Sequence, residues 1–195
     1  MRKDKIVEYI AKECLYIPKQ LMLGKLPGTR YSGQYYMAKA LYNQDFLYNV
    51  AMEFHDIIKK EIGNFDFQLA GREWSSIPLL VSLPLLLRQY HEININSFMI
   101  KRERKTYGIH NYIEGKPNDL PVLIVDDVCN STNSFKFCYD VLMAEENFKI
   151  LPYIFAVMNK YEKNSSETAF TEDRYLKARI KPLFIVSGDD INAVR

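Results

Sequence analysis

The chain has 195 residues, of which 48% are hydrophobic and 26% charged, a composition typical of one folded domain with a sizeable core. The net charge of only +2 argues against a global field that attracts nucleic acid or a membrane surface. The longest apolar run, residues 77–87, is too short to span a bilayer, and the N-terminus lacks an apolar signal segment. Three scattered cysteines fit neither a zinc site nor a secreted disulfide framework, so we expect a cytoplasmic protein.

Helical and strand patterns alternate along the chain. Apolar residues spaced three and four apart predict a helix over residues 41–63, ending near Gly63. Strands are predicted over 65–71, 97–102, 122–127, 149–158 and 183–187, and further helices over 76–91 and 134–147. Strands separated by helices indicate an α/β fold whose mostly parallel sheet is covered on both faces.

Two acids, Asp126 and Asp127, end the most apolar of these strands, and small polar residues follow them before the next helix. Ligands of such sheets bind beyond the carboxyl ends of the strands. Carboxylates there can bracket hydroxyl groups and a hydrated Mg²⁺, while amides at a helix N-terminus attract an anion. The pattern therefore suits a sugar phosphate, with the anion held by Asn130, Ser131, Thr132, Asn133 and Ser134. The same residue types are also ordinary N-caps and turn residues, and this alternative stays open.

The stretch "VLIVDDVCNSTNS" resembles the phosphoribosyl-diphosphate (PRPP) motif of type I phosphoribosyltransferases. "IKRERKTYG", residues 100–108, resembles the mobile catalytic loop of orotate phosphoribosyltransferases, and the two stretches together are more specific than either. On this match the catalytic-loop positions are occupied by Lys101, Arg102, Glu103 and Lys105.

Weaker similarity extends over most of the chain. "FDFQLAGREWSSIP" is similar to the strand and diphosphate-binding turn of the family, which gives PRPP-binding roles to Gly71, Arg72 and Ser75. "YSGQYYMA" is similar to the segment whose aromatic residues flank the base, here Tyr35 and Tyr36. Both tyrosines also suit ordinary packing, since the chain contains 14 of them.

The resemblance implies a single domain over 1–195, with a sheet core of about residues 45–160 and a small hood formed by about residues 1–44 with the C-terminal segment. It implies transfer of the 5-phosphoribosyl group of PRPP to a ring nitrogen of a nucleobase, with orotate as the leading acceptor. Mg²⁺ is the implied cofactor, held by Asp126 and Asp127 through water, and Lys160 falls where orotate enzymes place a base-binding arginine. Relatives of this type are dimers, so a homodimer with the loop acting in trans is expected.

Some positions depart from the family pattern. Either Thr132 or Asn133 stands where the phosphate loop usually carries glycine, and Ser75 stands where orotate enzymes carry a lysine. An isolated basic cluster such as "KRERK" is also typical of a solvated loop. Two function classes therefore remain: an orotate-type phosphoribosyltransferase, and a non-catalytic or regulatory module that binds PRPP or a nucleotide.

Overall fold

The computed structural model describes residues 1–16, 34–104, 111–129, 133–145, 148–160 and 180–194. The helices are α1 (Arg2–Tyr9), which a π-helical turn (Ile10–Cys14) extends, α2 (Ala38–Leu41), α3 (Gln44–Glu61), α4 (Ile77–His91), α5 (Asn133–Glu145) and α6 (Gly188–Asn192). The strands are β1 (Leu15–Tyr16), β2 (Gln34–Tyr35), β3 (Gln68–Arg72), β4 (Asn96–Ile100), β5 (Ile113–Glu114), β6 (Val122–Cys129), β7 (Ile150–Asn159) and β8 (Lys181–Ser187).

The main sheet has six strands in the order β5–β4–β3–β6–β7–β8. All neighbouring pairs are parallel except β4 with β5, and β1 and β2 form a separate antiparallel pair. The predicted α/β fold with a mostly parallel sheet is confirmed. Because the chain steps from β3 to β4 in one direction and from β6 to β7 and β8 in the other, the topological switch point lies between β3 and β6. Ligands of such sheets bind at this point, beyond the carboxyl ends of the strands.

Two apolar cores cover the sheet. The larger one packs α1, α3 and α4 against one face, and the smaller one packs α5 against the other. Adjacent strand residues divide between them, as Leu69 faces the larger core and Ala70 the smaller. This alternation follows from the pleat of a β-strand, and it explains why strands covered on both faces are apolar almost throughout.

The start of α3 shows how local chemistry sets an element boundary. The side chain of Asn43 accepts a hydrogen bond from Phe46 N at 2.9 Å, so the helix begins at Gln44 rather than within the apolar pattern that precedes it. Residues 38–41 form α2 instead. The sequence patterns also missed α1 and the two-residue strand β5, since α1 is short and two residues are too few to show a periodicity.

The first and last described elements pack together. Helix α1 contacts α3, β8 and α6, and Lys3 pairs with Asp190 at 3.1 Å. The division into a sheet core and a hood of about residues 1–44 stays a prediction. Within the described ranges, none of the helices is both long and apolar enough to cross a membrane.

Candidate functional site at the carboxyl ends of β3, β6 and β7

The turn after β3 packs directly against β6. A Cβ atom added to Gly71 would lie 2.5 Å from the side chain of Ser76 and 2.7 Å from Val125 O, so only glycine allows this close approach. Within the turn, Ser76 is fully buried and its hydroxyl donates to Arg72 O. The peptide between Glu73 and Trp74 is cis. We name residues 72–76 the β3–α4 turn; they occupy the place predicted for the diphosphate-binding turn.

Asp126 lies beside this turn and is only 5% exposed. Its Oδ1 atom accepts hydrogen bonds from Ser75 Oγ and from Asp127 N, both at 2.9 Å. Burial, and after it the negative charge of Asp127, raises the pKa of the Asp126 carboxyl. The structure therefore holds a carboxylate in a place where its charge is costly unless a cation or a hydroxyl-bearing ligand compensates it.

Asp127 is half-buried, and its Oδ1 atom accepts from Val128 N at 2.8 Å. Along β6, Val125 and Val128 pack against the larger core and Cys129 packs against the smaller. The pairing of β6 with β7 keeps one register from Ile124 through Asp126 to Cys129, so the acid pair lies within a regularly paired part of the strand.

The phosphate-loop residues are described only in part. Asn130, Ser131 and Thr132 lie outside the described residues, while Asn133 and Ser134 form the first turn of α5, one exposed and one half-buried. Amides in the first turn of a helix of this length are available to an anion. Their binding of phosphate stays a prediction.

Lys160 reaches the same edge of the sheet from β7. Its backbone N donates to Cys129 O at 3.1 Å, which places it next to the end of β6. Burial lowers the pKa of its ammonium group. The sequence-based prediction thus selected three chain segments, after β3, β6 and β7, that the fold brings to one edge.

The predicted catalytic loop begins at this edge, but its first lysine is already paired. The side chain of Lys101 is 7% exposed, and its Nζ donates to Asn111 Oδ1 at 2.9 Å and to Glu114 Oε1 at 3.1 Å. Arg102 and Glu103 are exposed. Lys105 lies outside the described residues. The catalytic roles of these four residues stay predictions, and for Lys101 the described contacts are those of a structural ion pair.

Two arginines flank the smaller core. The Arg72 guanidinium lies 4.8 Å from the centre of the Phe137 ring, a cation–π distance, and its buried Nε has no partner among the described residues. Arg104 lies 5.1 Å from the ring of Tyr112 and pairs with Glu145. Because Glu145 ends α5, Arg104 lies toward the end of that helix away from the phosphate-loop residues.

Other predicted site residues are placed less specifically. Tyr35 packs against the larger core, whereas Tyr36 is 62% exposed, and base binding by either stays a prediction. Trp74 is 73% exposed at the tip of the β3–α4 turn. Cys129 is buried, and burial raises the pKa of its thiol to about 12, so it is a neutral apolar filler of the core.

The described residues contain no cluster of three or more His, Cys, Asp or Glu side chains that would enclose a metal ion. Mg²⁺ does not require such a cluster, because it keeps several waters and is often held by one or two carboxylates together with substrate phosphates. Asp126 and Asp127 provide two adjacent carboxylates in the carboxyl-terminal half of β6, which continues for two further residues to Cys129. The donor set fits a hydrated Mg²⁺ that a phosphorylated ligand brings with it.

No protein-family model matches the chain. Among curated proteins, the orotate phosphoribosyltransferase of Pseudomonas fluorescens is 22% identical over 123 residues, which are 63% of this chain and 57% of that enzyme. The match thus spans little more than half the length of this relative.

Among solved structures, Mycobacterium tuberculosis orotate phosphoribosyltransferase in complex with Fe(III) dicitrate superposes with a TM-score of 0.73 at 12% identity, covering 98% of this chain and 99% of that one. The same enzyme in complex with PRPP gives a TM-score of 0.65 at 11% identity, covering 97% and 91%. The predicted resemblance to orotate phosphoribosyltransferases is confirmed by sequence and by structure, and the fold is that of the type I phosphoribosyltransferases.

Proposed function

We propose that this chain, which has the type I phosphoribosyltransferase fold, transfers the 5-phosphoribosyl group of PRPP to a ring nitrogen of a nucleobase and releases diphosphate. The observation that carries the proposal is the contact between Ser75 of the β3–α4 turn and Asp126 at the end of β6. It joins the two segments that the reaction needs close together, one for the diphosphate and one for the ribose.

In this reaction the bond from ribose C1 to the diphosphate oxygen breaks, and the base nitrogen supplies the electron pair of the new C1–N bond. Positive charge develops on the sugar and negative charge on the leaving group. Asp126 and Asp127 would accept hydrogen bonds from the ribose hydroxyls and from metal-bound water. Mg²⁺, when bound, would neutralise part of the diphosphate charge. The buried surroundings of Asp126 strengthen each of these contacts, because water competes poorly there.

A cation must also meet the departing diphosphate, and Lys105 is the proposed one. If it acts in the transition state, Lys105→Ala lowers kcat by roughly a hundred- to a thousandfold while KM for PRPP changes little. Steady-state kinetics at varied PRPP measures this. A large rise in KM at constant kcat would reduce Lys105 to a substrate-binding residue.

Orotate is the proposed acceptor, and Lys160 is the proposed partner of its carboxylate. The lysine stands beside the end of β6, and the lowered pKa of its ammonium group shows a partly desolvated site, where pairing with a carboxylate is strengthened. Tyr35 and Tyr36 are proposed to flank the ring. Lys160→Met should weaken the use of orotate more than the use of an uncharged base.

We expect two copies of the chain to associate through the outer face of α4. Residues 77–87 contain no charged side chain, yet Val81 is 56% and Leu85 64% exposed, with Trp74 and Tyr90 exposed toward the two ends of the helix. A face of this kind is typical of an interaction surface. In a two-fold dimer, the outer face of α4 in one copy contacts the same face of α4 in the other copy. The two helices then run antiparallel, so that their dipoles point in opposite directions and like-charged helix ends are not placed together.

Leu85→Lys is expected to shift the mass measured by light scattering from dimer to monomer, whereas Met143→Lys, at an exposed apolar residue of α5, is expected to leave it unchanged. A dimeric Leu85→Lys variant would exclude this face. Mixing a Lys105→Ala chain with one that lacks Asp126 and Asp127 tests the sharing of sites. Recovery of activity in verified mixed dimers is expected if the loop acts in trans.

The activity is tested by incubating the chain with PRPP, Mg²⁺ and a panel of bases while diphosphate release is followed. Release that depends on one base supports the enzyme and identifies the acceptor. The second candidate, a PRPP- or nucleotide-binding module without catalysis, is favoured by the pairing of Lys101 and Arg104 with carboxylates of the chain itself. Tight Mg²⁺-dependent PRPP binding without release for any base would support that candidate instead.

A further inference from the structure

Glu73, in the β3–α4 turn, makes two contacts with the chain that follows β4. Its backbone N donates to Ile100 O at 2.9 Å, which continues the hydrogen bonding of the two strands beyond the last register pair. Its Oε1 atom accepts from Arg102 N at 3.0 Å. The half-buried carboxylate thus replaces a backbone carbonyl as the next acceptor along β4.

The opposite side of the same turn holds the acid pair. Ser75 Oγ donates to Asp126 Oδ1 at 2.9 Å, and within the turn Ser76 Oγ donates to Arg72 O. Only Trp74 therefore separates the residue that contacts the predicted loop, Glu73, from the residue that contacts the predicted ribose site, Ser75. A turn bonded internally and on both sides transmits a displacement of one side to the other.

Arg102 is the first residue beyond a closed loop base. Lys101 N donates to Tyr112 O at 2.8 Å, and Lys101 Nζ bonds to Asn111 and Glu114, so the two ends of the loop are held together. Arg102 lies just outside these contacts. The hydrogen bond from the Arg102 amide to Glu73 therefore sets the direction in which the loop leaves the sheet.

We infer that Glu73 is a positioning residue that couples the start of the predicted catalytic loop to the β3–α4 turn and, through Ser75, to Asp126. An acid here is otherwise unfavourable, since a negative charge in this turn repels a diphosphate. Its acceptor atom, rather than its charge, explains its presence. The consequence for substrate rests on the proposed function, whereas the coupling itself does not.

The test compares Glu73→Ala, which removes the acceptor, with Glu73→Gln, which keeps an acceptor oxygen and removes the charge. Glu8→Ala, at an exposed acid on α1, is the control. Hydrogen exchange of the Arg102 amide, followed by NMR in the ligand-free chain, should be roughly two- to tenfold faster in the alanine variant, as expected for the loss of one hydrogen bond. The glutamine variant and the control should exchange like the wild type.

Calorimetry with PRPP and Mg²⁺ tests the consequence for the site. PRPP affinity should fall by a similar factor in Glu73→Ala and be restored in Glu73→Gln, with the unfolding midpoint of both variants close to that of the wild type. Unchanged exchange of the Arg102 amide in Glu73→Ala would overturn the coupling. Faster exchange with wild-type affinity would overturn the positioning role. If the wild-type chain itself binds no PRPP, the proposed function fails, and the exchange measurement still decides the coupling.

Discussion

The carboxylates of β6 and the cations that follow β4 differ in how their charges are compensated. Among the described residues, no lysine or arginine pairs with Asp126 or Asp127. In contrast, Lys101 pairs with Glu114, and Arg104 with Glu145. The acid pair is therefore left without a cationic partner among the described residues, whereas Lys101 and Arg104 pair with carboxylates of the chain itself. Charge in a sequence therefore does not by itself mark a binding residue.

The largest effect is expected when both carboxylates of the comparison, Asp126 and Asp127, are removed. The double substitution Asp126→Asn and Asp127→Asn should abolish Mg²⁺-dependent PRPP binding in calorimetry, with a loss of at least about a hundredfold, because both carboxylates that hold the ribose hydroxyls and the hydrated cation are lost. The fold should persist, since asparagine keeps the Oδ1 acceptor for Ser75. If the double variant binds PRPP as tightly as the wild type does, PRPP does not bind at these carboxylates.

The placement of Asp126 and Asp127 toward the carboxyl end of a central strand was predictable from the sequence, whereas the pairing of Lys101 and Arg104 was not. "VLIVDD" combines a buried strand with a polar end, and its position follows from the general arrangement of parallel sheets. The partner of Lys101 is 13 residues further along the chain, and β5, a strand of two residues, brings it close. So short a strand has no periodicity to detect. Glu73 was missed for a related reason, because a single acid in a turn carries no pattern.

A second prediction concerns Lys101. Lys101→Met should lower the free energy of unfolding by about 1 to 3 kcal/mol, since it removes the hydrogen bonds that Lys101 Nζ donates to Asn111 Oδ1 and Glu114 Oε1. The loss stays below that of a fully buried pair because Glu114 is 43% exposed and water screens it. Urea unfolding measures it, with the exposed Lys116→Met as the matched control. Wild-type stability together with a large loss of kcat would assign Lys101 to catalysis instead.

The third prediction uses the burial of the Asp126 carboxyl group. Its pKa is raised above the ordinary value of 3.8, so the folded chain holds a proton that the unfolded chain has released. Folding stability therefore falls as pH rises through the interval between the ordinary and the raised value, and the cost is complete above it. Asp126→Asn removes this cost, and in ligand-free protein it should be more stable than the wild type at pH 8 by about 1 to 2 kcal/mol.

At pH 4 the advantage of Asp126→Asn should almost vanish, because the wild-type carboxyl is then protonated in the folded chain and partly protonated in the unfolded chain. Unfolding in urea at a series of pH values measures the difference. Asp140→Asn, at an exposed acid of α5, should show no such trend. A gain in stability that is the same at pH 4 and pH 8 would mean that packing, rather than charge, limits the stability of this strand end.

The smallest expected effect concerns Arg104 and Glu145, whose side chains are 52% and 19% exposed. A pair exposed to this degree contributes about 0 to 1 kcal/mol, so Glu145→Gln should barely change the unfolding midpoint. If Arg104 must leave Glu145 to reach a phosphorylated ligand, breaking the pair makes the free energy of binding less favourable. Glu145→Gln removes this cost, so PRPP affinity should rise by about fivefold at most. Calorimetry at low salt measures this, because salt weakens the pair in the wild type and reduces the difference. Weaker PRPP binding by Glu145→Gln would show that Glu145 holds Arg104 in a position that favours PRPP binding. The pairing of Arg104 in the ligand-free chain would then already serve the ligand.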